Sequence, residues 1–296
     1  MPTLNKRLQA ELSMILVACI WGTTFVIVKN ALADIGPFLF LGIRFIAAFI
    51  MLAILSFSNI RRISWSTLGY GCLIGTFLLL GYTFQTVGLK YTTSSNAGFI
   101  TGISVVLVPI IYAILNRTRP DLKTTITVLL ATAGLYLLSF KNNDFTLAYG
   151  DFLVLICAFG FAFHIVFVDR YSYRHNPVAI TGIQILFVGI VSMIIGLNCE
   201  PWPQHFSANL VSAIFITSVF ATSLAFLLQN AMQKYSTPTR FAIVLTTEPL
   251  FAALAGYLWA NEMLSQRAMA GAALILVSML VSILTRKGKN LVEANV

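Results

Sequence analysis

Residues 103–115 read ISVVLVPIIYAIL. A strand that crosses a membrane within a barrel alternates apolar and polar residues over about ten positions. This run is almost continuously apolar, so it reads as part of a spanning helix. Extended back to Ser94, the window Ser94–Leu115 approaches the about 20 apolar residues that cross a bilayer core. Further windows of the same kind lie at Leu12–Ala31, Pro37–Phe57, Ser66–Leu89, Thr124–Phe140, Phe152–Val168, Pro177–Leu197, Leu210–Met232, Thr239–Trp259 and Arg267–Leu284. Composition agrees. Hydrophobic residues make up 58% of the 296 and charged residues 10%, too little polar surface for a water-soluble globule of this size.

The chain is therefore predicted to be an all-α membrane protein with ten transmembrane helices. Connections are short. The only long polar stretches are the two ends and the segment Asn198–Ser207, which leaves no room for a soluble catalytic module. The apolar run from Leu12 continues for a full span without a small-residue cleavage pattern, so it reads as a retained anchor rather than a signal peptide.

Nineteen Lys and Arg against ten Asp and Glu give a net charge of +9. With the N-terminus in the cytoplasm, the inner side collects Lys6, Arg7, Arg61, Arg62, Arg117, Arg119, Lys123, Arg170, Arg174, Lys234, Arg240, Arg286, Lys287 and Lys289. The outer side holds Lys29, Lys90, Lys141 and Arg267, and Arg44 falls within the second window. The positive-inside rule then puts both termini in the cytoplasm of a multi-pass cell (plasma) membrane protein. The basic balance needs no nucleic-acid partner, because an orientation signal that also attracts anionic lipid accounts for it. The cysteines Cys19, Cys72, Cys157 and Cys199 are dispersed, and neither they nor the histidines have metal-ligand spacing. No metal and no cofactor is expected.

The windows also repeat. Pro37, Gly42 and Arg44 are matched by Pro177, Gly182 and Gln184 at an offset of 140, and Cys19 and Gly22 by Cys157 and Gly160 at 138. FQTVGLKY at 84–91 and LQNAMQKY at 228–235 share Gln, Lys and Tyr at offset 144, and Pro109 and Pro249 return to 140. The slip of four residues between those last landmarks is about one helical turn. Residues 1–145 and 146–296 are thus read as two five-helix repeats. An odd number of spans per copy places the copies upside down relative to each other, an arrangement used by secondary transporters.

Four stretches also carry a family resemblance: WGTTFVIVK at 21–29, GIRF at 42–45, LKYTTSSNAGFITG at 89–102 and YSTPTRFAIVLTTEPLFAALAGYLWANE at 235–262. Together they resemble the EamA family of the drug/metabolite transporter superfamily, over nearly the whole chain. The resemblance implies a ten-helix inverted-repeat fold and a central cavity lined mainly by spans one, three, four, six, eight and nine. It also implies export of small metabolites or amino-acid-like solutes.

Ionisable groups within a span are costly and tend to face a cavity. Asp34, Asp121, Asp144, Asp151, Asp169, Glu11, Glu200, Glu262 and Glu293 fall at or near window ends, which leaves Glu248 as the one acid deep in a span. Pro249 cannot donate to the carbonyl of Leu245, so the helix should open there. Glu248 is a candidate site for a proton or a substrate ammonium; the alternative is a carboxyl that satisfies backbone groups at the proline break. Pro109 and Pro249 are hinge candidates. Arg44 is close enough to the outer interface for its stem to snorkel, with a structural ion pair or an anion-binding role as the other readings. His164 is the one histidine within a window: a packing residue, or a proton relay with Glu248. Further candidates for the cavity lining are Trp21, Thr24, Tyr82, Gln85, Asn96, Gln229 and Thr247, with Gln85 and Gln229 favoured by their matched positions.

Three function classes follow: a secondary exporter working by alternating access and driven by a solute or a proton gradient; a passive facilitator or channel; and a membrane enzyme. The enzyme reading has no support, since paired intramembrane aspartates, metal-binding histidine pairs and a GxxxxGK phosphate loop are missing from the sequence. The expected partners are a small-molecule solute and the lipid bilayer; oligomeric state is not encoded in these patterns.

Overall fold

The computed structural model describes residues 4–57, 63–139, 148–260 and 266–284. Arg61, Arg62, Lys141, Asp144, Glu262, Arg286, Lys287, Lys289 and Glu293 lie outside the described residues, as does the boundary drawn between residues 145 and 146.

Helices account for the regular structure among the described residues: α1 (Leu4–Ala31), α2 (Pro37–Leu55), α3 (Trp65–Leu89), α4 (Ser94–Gly102), α5 (Ser104–Asn116), α6 (Leu122–Ser139), α7 (Tyr149–Tyr171), α8 (Pro177–Cys199), α9 (Ala208–Ile216), α10 (Ala225–Met232), α11 (Pro238–Leu245), α12 (Glu248–Ala260) and α13 (Gln266–Leu284). Their starts follow from local chemistry. Thr93, Asn176, Ser207 and Thr237 each accept a backbone N–H of the first turn, and prolines occupy the first positions of α2, α8 and α11, where a missing N–H costs nothing. Eight described helices are long and apolar enough to cross a membrane. Leu122–Leu137 is a shorter apolar helix.

Three windows that read as continuous in the sequence are interrupted. Between α4 and α5 the ladder tightens at Ile103, whose N–H reaches Ile100 O at 3.1 Å, one to two turns before Pro109. Between α11 and α12 the break falls at Thr246 and Thr247, whose hydroxyls donate to Ile243 O (2.5 Å) and Val244 O (2.8 Å). Glu248 is therefore the first residue of α12, beside the break that Pro249 led the sequence reading to expect. The third irregularity is a π-helical stretch, Thr217–Leu224, joining α9 to α10. Hydroxyls again absorb the mismatch: Thr217 donates to Ala213 O, Ser218 to Ile214 O and Ser223 to Ser218 O. Such interruptions survive in apolar surroundings only when the freed backbone groups find partners inside the protein.

In packing, α2 lies along α8 and α6 along α13, while α3 sits against α7 and α8. α1 packs on α12, α7 on α4 and α5, and the π-helical stretch on α2. Small residues set the closest approaches. A Cβ on Gly22 would fall 2.4 Å from Glu248 O, and one on Gly160 would fall 2.6 Å from Gly81 N. Gly71 and Gly75 take the side chains of Ile183 and Phe187, in keeping with a packing role for that spacing.

Candidate functional site

The helices converge on an internal cavity whose empty volume is about 830 Å³, its open mouth included. All six spans implied by the resemblance contribute to the wall, and α2 adds Arg44.

One wall is aromatic. Tyr82 on α3 meets Phe161 of α7 at 5.2 Å and Phe226 of α10 at 6.0 Å, both edge-on, and Trp21 of α1 tilts against Phe226 at 5.4 Å. The Trp21 indole is fixed by donating to Ala221 O at 2.8 Å, within the π-helical stretch. Thr24, one turn along α1, lines the cavity but spends its hydroxyl on Trp21 O.

The charged groups come from different elements. Arg44 is 3% exposed and does not snorkel, contrary to the sequence reading. Its Nε donates to Thr222 Oγ1 at 2.8 Å, and the guanidinium lies over the Tyr82 and Phe45 rings at 4.9 and 5.3 Å. Those contacts hold it inward because a buried guanidinium can offset lost hydration on aromatic faces. Glu248 reaches the cavity from the start of α12, next to Pro249. Its carboxyl has no hydrogen bond or ion pair among the described residues, so it does not satisfy the backbone at the break. The threonine hydroxyls do that instead.

The polar amides and His164 sit between α3, α7, α8 and α10. Gln85 donates to Thr101 Oγ1 at 3.2 Å across to α4. His164, 2% exposed, is bonded through Nε2 to Gln184 Oε1 at 3.0 Å; Gln184 donates to Asn230 Oδ1 at 3.0 Å and Asn230 to Phe226 O at 2.8 Å. Gln229, 1% exposed, donates to Gln233 Oε1, and Gln233 donates to Ile165 O.

Of the residues singled out in the sequence, Trp21, Thr24, Tyr82, Gln85, His164, Gln229, Glu248 and Pro249 line this cavity. Asn96, Thr247 and Pro109 are not part of its wall. Asn96 is near the start of α4, its backbone N–H taken by the Thr93 hydroxyl, and Thr247 is closed onto Val244 O. Phe161 and Phe226 enter as residues the sequence reading passed over, and Arg44, read there first as a snorkelling charge, joins them on the wall. Phe226 had a signal, since it stands 144 residues from Tyr82, the offset that links Gln85 to Gln229.

Two further readings are corrected. Glu11 is 1% exposed within α1, because that helix begins at Leu4 and carries Glu11 two turns inward. Arg240 is not simply a cytoplasmic surface charge: it is 8% exposed and its Nη1 lies 3.7 Å from Glu11 Oε1. His175 sits outside the cavity in the turn before α8, bonded to Thr67; burial and the Arg174 charge hold it below the usual imidazole range. No group of three or more His, Cys, Asp or Glu suited to a metal occurs among the described residues.

The model of the EamA-like transporter family matches residues 8–140 and again 148–284. An uncharacterized transporter of Archaeoglobus fulgidus is 38% identical over 277 residues, spanning 93% of this chain and 86% of the relative. A chloroplastic WAT1-related protein of Arabidopsis thaliana is 26% identical over 87% of this chain and 65% of its own length. A solved crystal structure shares the fold with a TM-score of 0.78 at 17% identity, covering 93% of this chain and 96% of the other.

Proposed function

The chain belongs to the EamA-like transporter family, in the drug/metabolite transporter superfamily, and from that premise we propose that this multi-pass membrane transporter is a secondary exporter of small amino-acid-like solutes. In this reading ten spans form two inverted halves, residues 1–145 and 146–296, that rock about the central cavity with both termini in the cytoplasm of the plasma membrane.

The observation that carries the proposal is the cavity itself. Both halves supply its wall, and it holds a buried cation, Arg44, and an acid, Glu248, that are not bonded to each other. Those charges suit a solute bearing both a carboxylate and an ammonium group, and the aromatic wall suits an apolar side chain. The packing supports the inverted repeat. Exchanging each span for the one five places later leaves the α2–α8 and α6–α13 pairs unchanged, turns α1–α12 into α7 with α4 and α5, and turns α3–α8 into the π-helical stretch with α2.

A proton is the proposed coupling ion, exchanged at Glu248. Efflux from cells expressing wild type and Glu248→Gln at equal membrane levels tests this, with amino acids and their toxic analogues as solutes and an imposed pH gradient. Wild-type efflux that follows the gradient, lost in Glu248→Gln, is the expected result. Equal efflux and equal pH dependence in both would end the coupling role, and downhill flux alone would favour a passive facilitator. His175→Gln serves as the control for a histidine outside the cavity.

A further inference from the structure

Two hydrogen-bond chains link α7 to α10 and the turn that follows it, the first by way of α8, and each ends on a backbone carbonyl. A carbonyl only accepts, so it fixes the direction of every bond in its chain. In the first, Phe226 O accepts from Asn230 Nδ2, which leaves Asn230 Oδ1 as the acceptor for Gln184 Nε2. Gln184 Oε1 must then accept from His164, so the imidazole carries a proton on Nε2, and in its neutral form it keeps a lone pair on Nδ1. In the second, Ile165 O accepts from Gln233 Nε2, so Gln233 Oε1 accepts from Gln229 Nε2 at 3.4 Å. Gln229 is left with a bare Oε1, buried and without a partner among the described residues.

The chains are reciprocal. The first carbonyl, Phe226 O, lies three residues before Gln229, and the second, Ile165 O, directly follows His164. Both His164 and Gln229 line the cavity, and neither Asn230 nor Gln233 does. The residues behind the wall thus orient those on it. A buried acceptor without a donor costs about 1–3 kcal/mol, so Gln229 Oε1, on a residue of the cavity wall, has a donor to receive, and His164 stands on the same wall with no hydrogen bond to its Nδ1 among the described residues.

We propose that His164 Nδ1 and Gln229 Oε1 form the recognition subsite for the primary ammonium group of the solute. An ammonium brings three N–H donors where a hydroxyl brings one, and its charge strengthens each bond. A quaternary ammonium has the same charge and no donor, so the subsite rejects it by leaving both acceptors unpaired. This assignment rests on the amino-acid-like solute proposed above and adds which atoms read its nitrogen.

The test is equilibrium binding to purified protein in detergent, independent of transport. Phenylalanine and leucine are each offered with their N-methyl, N,N-dimethyl and N,N,N-trimethyl derivatives and with the des-amino acid. In wild type, affinity should fall stepwise with each N–H removed, by about tenfold or more from ammonium to trimethylammonium. Gln229→Leu should flatten the series, Gln229→Glu should restore it, and Gln233→Met, behind the wall, should weaken the discrimination by freeing the Gln229 amide to turn. Equal binding across the methyl series in wild type overturns the subsite while leaving an exporter of amino-acid-like solutes standing. Binding of the des-amino acids in preference to the amines overturns it too, and so does failure of both amines to bind. A stepwise series in a protein that shows no efflux sustains the subsite and removes the exporter reading.

Discussion

Arg44 donates from Nε to the Thr222 hydroxyl at 2.8 Å, tying α2 to the π-helical stretch that also holds the Trp21 indole. The guanidinium is thereby presented to the cavity from a fixed platform, with Tyr82 beneath it at 4.9 Å. If it receives a carboxylate, Arg44→Met should remove that preference while keeping the side chain's apolar bulk. We expect wild type to bind an amino acid at least about tenfold tighter than the amine lacking its carboxylate, a difference of about 1.4 kcal/mol, and the variant to bind both alike. Discrimination that survives in Arg44→Met would show that the carboxylate is read elsewhere.

The two matched glycines make a second prediction. Gly22 would place a Cβ 2.4 Å from Glu248 O, and Gly160 would place one 2.6 Å from Gly81 N; both obstacles are backbone atoms that cannot turn aside. Gly22→Ala and Gly160→Ala should each lower stability by about 1–3 kcal/mol, as overpacking does. Gly69 has nothing within 4 Å of its Cβ direction, so Gly69→Ala should be neutral or better. Thermal unfolding in one detergent, followed by the loss of the monodisperse peak, ranks the three. Equal behaviour of all three would mean that the helices part more easily than their packing suggests.

The membrane class and the placement of the helices were legible because hydropathy is a property of whole windows, which single substitutions barely disturb. Breaks within windows were less so. Pro249 announced the one beside Glu248, but the hydroxyls of Thr246 and Thr247 that make it stable look in sequence like any other polar residues. Repeat offsets picked Gln85 and Gln229 for the cavity wall, and applied to Tyr82 they would also have picked Phe226. Arg44 was misjudged because its distance from the span end allows snorkelling. The decision lies with Thr222 and Tyr82, which are 178 and 38 residues away. The burial of Glu11 was not legible because α1 begins before the apolar run does.

Cys199 offers a check on orientation. It is the last residue of α8 and is exposed, while Cys157 is buried and Cys19 and Cys72 are partly so. With both termini cytoplasmic, the end of α8 faces outward. A membrane-impermeant maleimide applied to intact cells should therefore label wild type and not Cys199→Ser. Labelling that needs permeabilised cells would invert the proposed orientation and, with it, the direction of export.

Glu11 joins three helices at the end of the bundle opposite the outer ends of α1 and α3. Its Oε1 accepts from Arg7 Nε at 3.0 Å and lies 3.7 Å from Arg240 Nη1 on α11, while Arg7 also donates to Ile283 O on α13. The α1 residues that line the cavity begin ten positions later, at Trp21, and run toward the other end. If, in the proposed orientation, this clamp closes the cytoplasmic side, the proposed alternating access would require it to break. Glu11→Gln leaves the guanidinium groups without their shared carboxylate, and breaking one side of a buried pair costs about 3 kcal/mol. That loss alone would fit a merely structural bridge, so a second readout is needed. Cys19 lies two turns beyond the clamp and is partly accessible. In inside-out vesicles carrying a Cys157→Ser, Cys72→Ser background, its alkylation rate should rise several-fold in Glu11→Gln and fall when solute is trapped in the outward-facing form. An unchanged rate beside the same loss of stability would make the clamp a fixed brace rather than a gate.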